Sequence, residues 1–279
     1  MKVPYELAER ANINVKHVSS GEVVLYEDHR TILNVLFYCK KQEPSLFPIN
    51  VYLFDNHDDA CVPSKKVLKM ISRYNKKEPS LKDFWSFTDF DLRVLDDDWN
   101  KAGMELGLIN NVFLFNATKA SFDFQQSYKT MSFGTKNLYN LGYIWDALWN
   151  RGCLSDLVKS EEYGALWNDF GWVYQRNQGK FFFGPPNAFI TDFDLDCFTT
   201  EVLDNRIAVP NTILIEKFEE MHQADYHHYY SCKLFVEELI QKSEIITLCF
   251  ENNFCGGYNQ VFEIFKTIDY LFFEEQLGK

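Results

Sequence analysis

Asp55, His57 and Asp59, in the stretch Phe54-Asp-Asn-His-Asp-Asp, set two carboxylates and an imidazole at alternate positions. Alternate side chains of an extended chain share a face, so these three can converge on one point and hold a divalent cation. An Asp-rich loop also commonly caps a following helix, and this segment taken alone leaves both roles open. A second apolar run, Ala188-Phe-Ile-Thr-Asp-Phe-Asp-Leu-Asp196, ends in alternating carboxylates that include Asp194 and Asp196. Clustered carboxylates repel one another and take up protons, whereas divalent cations neutralise them and favour the ionised forms. Metal binding is the simplest reason for two such clusters.

A third apolar run, Val23 to Tyr26, leads through Glu27 and Asp28 to His29, directly before the apolar segment Thr31 to Leu36. A histidine there often does no more than start a helix; beside two acid clusters it becomes a candidate ligand. Four carboxylates and two imidazoles (His29, Asp55, His57, Asp59, Asp194, Asp196) suit two hard or borderline cations such as Mn²⁺. A carboxylate bridging such a pair would hold the ions roughly 3.5–4 Å apart, and a bridging water would lose a proton near neutral pH. A fourth run, Ile245 to Phe250, ends in Glu251, which adds a carboxylate or caps the turn before Gly256-Gly257.

The elements that must position these residues follow from the same runs. Val23–Tyr26, Ile49–Phe54, Val112–Phe115, Ala188–Phe193 and Ile245–Phe250 read as buried strands. Helical spacing runs through Thr31–Lys41, Val67–Tyr74, Trp99–Leu108, Leu138–Trp149, Cys232–Lys242 and Gln260–Phe273. The alternation predicts an α/β fold with a mainly parallel sheet covered on both faces, in three α/β/α layers. Ligand sites of such sheets lie beyond the carboxyl ends of the strands, where these polar residues fall. No Pro/Gly/Ser linker interrupts the chain, so residues 1–279 read as one domain, with an aromatic-rich elaboration at about 60–183 that carries all six tryptophans. Tryptophan at that density usually packs cores or helices, and some could line a substrate groove.

With 28 Lys+Arg against 40 Asp+Glu, the formal charge of −12 disfavours nucleic acid and anionic membranes and favours cationic substrates. The basic run Lys65, Lys66, Lys69, Arg73, Lys76, Lys77 reads as a solvated helix face. Seven cysteines without a CxxC pair indicate neither a disulfide framework nor a zinc ribbon and suit a reducing, cytoplasmic setting. The amino-terminal residues lack a signal peptide's apolar run, and no stretch has the length of a membrane span.

The motif order YEDH, FDNHDD, FDLD, FEN resembles the arginase or ureohydrolase superfamily, which has a histidine before a helix, a DxHxD strand end, a DxD strand end and a late glutamate. The resemblance implies an arginase/deacetylase-like fold and a pair of Mn²⁺ ions. It implies that His29 and Asp59 bind one ion, His57 and Asp196 the other, and that Asp55 and Asp194 bridge them. It further implies attack of a metal-bound hydroxide on a guanidinium carbon, proton delivery to the departing amine by Asp59 and a grip on the guanidinium by Glu251.

The match departs from ordinary arginases at several places. YEDHR stands where GGDHS is usual, the loop that reads the α-groups of free arginine has no counterpart, and the HGxP histidine is missing. None of the remaining His17, His222, His227 and His228 takes its place by motif. These departures are similar to the atypical branch that contains peptide arginases, which convert arginine side chains of ribosomal precursor peptides to ornithine and urea. The implied partner is therefore an arginine-containing precursor peptide. The alternatives are a ureohydrolase of a small guanidine such as arginine or agmatine, a one-zinc deacylase, and a non-catalytic, metal-stabilised peptide-binding protein.

Overall fold

A computed structural model of the chain describes residues 13–92, 98–115, 121–146, 148–149, 172–175, 180–183, 188–203, 205–223, 227 and 229–279. Eight strands form the main sheet: β1 (Ile13–Val18), β2 (Gly21–Tyr26), β3 (Ile49–Phe54), β4 (Ile109–Phe115), β5 (Gln125–Lys129), β6 (Thr135–Asn140), β9 (Phe189–Asp194) and β14 (Ile246–Cys249). Three two-stranded ribbons accompany it: β7 (Trp172–Gln175) with β8 (Lys180–Phe183), β10 (Thr199–Val202) with β11 (Asn205–Ala208), and β12 (His222–Gln223) with β13 (Tyr229–Tyr230). The sheet order is β1-β2-β14-β9-β3-β4-β6-β5. Neighbours from β2 to β6 run parallel, and only the outer strands β1 and β5 pair antiparallel.

Period-two alternation explains why both faces of this sheet are buried. Val23, Leu25, Tyr52, Phe54, Phe113, Phe115, Phe193 and Leu248 join one core, which the helices Asn211–Glu219, Cys232–Lys242 and Tyr258–Phe272 cover. Val24, Tyr26, Val51, Leu53, Val112, Leu114, Ile190 and Cys249 join the other, with residues of the helices Thr31–Gln42, Lys65–Tyr74, Leu81–Phe90 and Trp99–Glu105. The chain is thus an α/β fold of three layers with a mainly parallel central sheet.

The five strands expected from the sequence are all present, and the helix Cys232–Lys242 has the expected bounds. Leu138–Trp149 is not one helix. Its first residues belong to β6, which pairs parallel with β4, and a short helix, Gly142–Asp146, begins only after the chain leaves the sheet. Strands β4, β5 and β6 show that part of the aromatic-rich stretch builds the central sheet itself. The basic residues Lys65, Lys66, Lys69 and Arg73 are exposed on their helix while Val67 and Ile71 face inward, a solvated face as expected. Cys39, Cys61, Cys197, Cys232, Cys249 and Cys255 are free thiols; Cys153, Trp167 and His228 lie outside the described residues. Among the described residues no helix is long and apolar enough to cross a membrane.

Candidate metal centre

Strand register brings the polar segments to one edge. Cys249 of β14 stands level with Tyr26 of β2 on one side and Asp194 of β9 on the other, and Phe54 of β3 stands level with Phe193. The chain therefore leaves four adjacent parallel strands at the same height, at their carboxyl ends. Ile49, Val51, Leu53 and Asp55 follow one another on one face, as do Ile190, Asp192 and Asp194, so both acid clusters point toward the layer that holds the helix Thr31–Gln42.

His29 sits just before that helix and is fully buried. Its Nε2 lies 2.6 Å from Oδ2 of Asp192, close enough to donate its proton there and leave Nδ1 as the lone-pair nitrogen. Nδ1 lies 3.2 Å from Asp59, 3.4 Å from Asp194 and 3.6 Å from Asp55, and it forms no hydrogen bond. A buried imidazole nitrogen without a hydrogen bond, ringed by three carboxylates, is the arrangement a metal ion would complete. The other oxygen of Asp192 accepts hydrogen bonds from the Tyr26 hydroxyl at 2.9 Å and from Thr247.

The donor atoms fall into three overlapping groups, each with its atoms within 4.8 Å of one another: His29 with Asp55 and Asp59, His29 with Asp194 and Glu251, and Asp55 with His57 and Asp196. Two lobes result, one around His29 and one around His57, and Asp55 belongs to both. Oxygen and imidazole donors of this kind suit a hard or borderline divalent cation. The loops brace each other: Asp55 accepts from the His57 amide at 2.7 Å, Asp194 from the Asp196 amide at 3.0 Å, and Asp196 from the Asn56 amide at 3.2 Å. Asp59 and Glu251 both adopt left-handed backbone conformations, with φ of 44° and 32°, as Leu203, Glu274 and Glu275 do away from the cluster.

The side chains of the cluster, taken by themselves, have the electrostatics of a crowded acid site. Burial, with the neighbouring Asp59 carboxylate adding to it, pushes the Asp55 carboxyl up to about 7. Burial raises Asp59 as well, and it raises Asp194 well above the usual range with help from Glu251, Asp196 and Asp55. For His29 burial opposes protonation, but the Asp192 carboxylate beside it favours it, and the net direction is strongly upward. Each of these carboxyls would give up bound protons to a divalent cation.

All six residues named as ligands from the sequence meet in this cluster, and Glu251 joins them from the end of β14. Several others were not singled out. Asp192 lies two residues before Asp194 on the same face, and that alternation was the available signal. Trp99, from a different element, donates to Asp59 at 2.6 Å and packs its ring 4.7 Å from His29. Asp58 binds Ser121 through its side chain and Asn100 through its carbonyl, tying the DxHxD loop to the helix layer. Arg206, on the ribbon β10–β11, reaches Oδ2 of Asp196 at 2.9 Å and lies 3.3 Å from Nε2 of His57. A cavity of about 550 Å³ lined by Phe37, Lys40, Tyr74 and Leu108 lies near the amino-terminal edge of the sheet and takes no part in the cluster.

No protein-family model matches the chain, and no curated protein matches it.

Proposed function

We propose that the chain is a binuclear-metal hydrolase that converts peptidyl arginine to ornithine with release of urea. The observation that carries the reading is the buried Nδ1 of His29, which forms no hydrogen bond and faces Asp55, Asp59 and Asp194, with a second lobe at His57 and Asp196 sharing Asp55. In this reading His29 and Asp59 would hold one Mn²⁺ and His57 and Asp196 the other, with Asp55 and Asp194 shared between them. When bound, the ions would supply Lewis acidity and a water acidic enough to act as a nucleophile near neutral pH.

The protein's own residues account for the rest of the reaction. Water adds its oxygen to the guanidinium carbon, the bond from that carbon to Nε breaks, and urea leaves with both terminal nitrogens. Asp59, buried and held by Trp99, delivers the proton that the departing ornithine amine requires. Glu251, buried at the carboxyl end of β14, accepts paired, charge-assisted hydrogen bonds from the guanidinium. Its carboxylate is also close enough to His29 and Asp194 to ligate a cation. Glu251→Gln separates the two roles: the guanidinium grip alone leaves metal content unchanged and slows turnover, while ligation lowers metal content.

The motif order supports the ureohydrolase chemistry, and the absence of a recognisable loop for free α-groups supports a peptidyl substrate. The acidic net charge attracts a cationic peptide. The test is mass spectrometry of an arginine-containing peptide and of free arginine, each incubated with Mn²⁺-loaded protein, with urea assayed in parallel. Conversion of the peptide alone is the expected result. Conversion of free arginine instead would make the protein a small-guanidine ureohydrolase, and conversion of neither would reject the chemistry.

A further inference from the structure

The two lobes of the cluster are not prepared alike. At the His29 lobe the imidazole tautomer is set by Asp192, and Nδ1 forms no hydrogen bond. At the His57 lobe a resident cation already contacts the donor atoms. Arg206 Nη1 lies 2.9 Å from Oδ2 of Asp196, the oxygen that stands 3.2 Å from His57 Nδ1, while the amide of Asn56 takes the other oxygen. Arg206 Nη2 lies 3.3 Å from His57 Nε2.

The charge and hydrogen-bonding chemistry set these contacts in competition with a metal at the same place. A guanidinium has only donors and stays charged, and it sits on the Asp196 oxygen that a cation in this lobe would use. A cation bound between Asp55, His57 and Asp196 needs the Nδ1 lone pair, because Nδ1 is the nitrogen that faces both carboxylates. With a cation on Nδ1, the proton left on Nε2 would point at Arg206 Nη2, another donor. The cation would also share Oδ2 of Asp196 with a positive group.

Arg206 is well placed to move aside. Its backbone lies against Gly256, where φ is +83° and an added Cβ would lie 2.2 Å from the Arg206 carbonyl oxygen. Its side chain is partly exposed and rests over the Phe254 ring, with Nη1 also 3.2 Å from the Phe254 carbonyl.

We propose that Arg206 is a charged latch on the His57–Asp196 lobe, so that two divalent cations load in order: the first at the His29 lobe, the second only as the guanidinium is displaced. The proposal rests on the metal-centre reading above and adds to it a residue that sets metal stoichiometry.

Calorimetric titration with Mn²⁺ alone, with bound metal counted by elemental analysis, tests it on the full chain and on Arg206→Gln, Arg206→Met and Arg206→Lys. The unaltered protein should bind in two unequal steps, the second weaker by about tenfold or more. Arg206→Gln and Arg206→Met, which remove the charge, should each tighten the second step by about tenfold or more and leave the first within about threefold. Arg206→Lys keeps the charge and should keep the second step weak. A second step unchanged or weakened in both neutral variants would overturn the latch, since Arg206 would then be supporting Asp196. Failure of every form, the unaltered protein included, to bind Mn²⁺ would instead reject the metal centre itself.

Discussion

The most exacting single residue in the cluster is Asp192, which touches no proposed substrate and decides what His29 can do. Its two oxygens accept from His29, Tyr26 and Thr247, and an asparagine of the same shape has only one accepting oxygen for those three donors. Asp192→Asn should weaken metal binding by about tenfold to a hundredfold, read by Mn²⁺ titration; an unchanged affinity would show that the His29 tautomer is set elsewhere. The buried acids of the cluster also fix a pH dependence. In the folded chain the surroundings of Asp55 hold its proton up to about 7, whereas the unfolded chain releases it near about 4. Its contribution to stability is therefore full below about pH 4 and is lost as pH rises through about 7; His29, also raised, acts in the same direction. Cations replace those protons, so Mn²⁺ should raise the melting temperature more at about pH 8 than at about pH 5.5. Equal increments in differential scanning calorimetry would contradict the proton exchange.

At the scale of elements, the ligands are only as well placed as the strands that end beneath them. Phe54 stacks on Phe115 and on Phe193, each at 4.8 Å, and meets the edge of Trp145 at 5.2 Å, so one aromatic row locks β4, β3 and β9 together just before Asp55 and Asp194. Phe54→Ala should cost about 3–5 kcal/mol in denaturant unfolding, and a loss below about 1 kcal/mol would mean the row is not what holds these strands. The same strands were the legible part of the sequence, because buried parallel strands are short apolar runs and these end abruptly in acid. Other elements carried no such mark. Strand β5 reads Gln-Gln-Ser-Tyr-Lys and lies at the sheet edge with alternate residues exposed, so it has no apolar face to detect. Leu138, Leu141, Trp145 and Leu148 repeat at helical spacing although Leu138 lies in β6 and joins the other core, while Leu141, Trp145 and Leu148 bury together beyond the strand's end, so the spacing runs across a change of element. Trp99 and Arg206 carried no mark of their own: Trp99 reaches Asp59 from a helix 40 residues on, Arg206 reaches Asp196 from the ribbon just after it, and nothing local distinguishes them from a core tryptophan and a surface ribbon arginine.

For the whole molecule, the layered plan determines where chemistry is possible. Helices close both faces of the sheet, leaving the carboxyl edge as the place where loops from β2, β3, β9 and β14 can converge. The charge distribution agrees with that plan, with carboxylates gathered at this edge within an acidic chain and a basic helix face turned to solvent. The central claim, that the edge holds a pair of metal ions, is tested most directly by anomalous diffraction from crystals grown with Mn²⁺, for the unaltered protein and for Asp55→Ala. Two anomalous peaks are expected in the former, one beside His29 Nδ1 and Asp59, the other beside His57 Nδ1 and Asp196, and both should vanish when the shared Asp55 is removed. Absence of any peak at this cluster in Mn²⁺-saturated crystals of the unaltered protein, or two full peaks retained in Asp55→Ala, would contradict it.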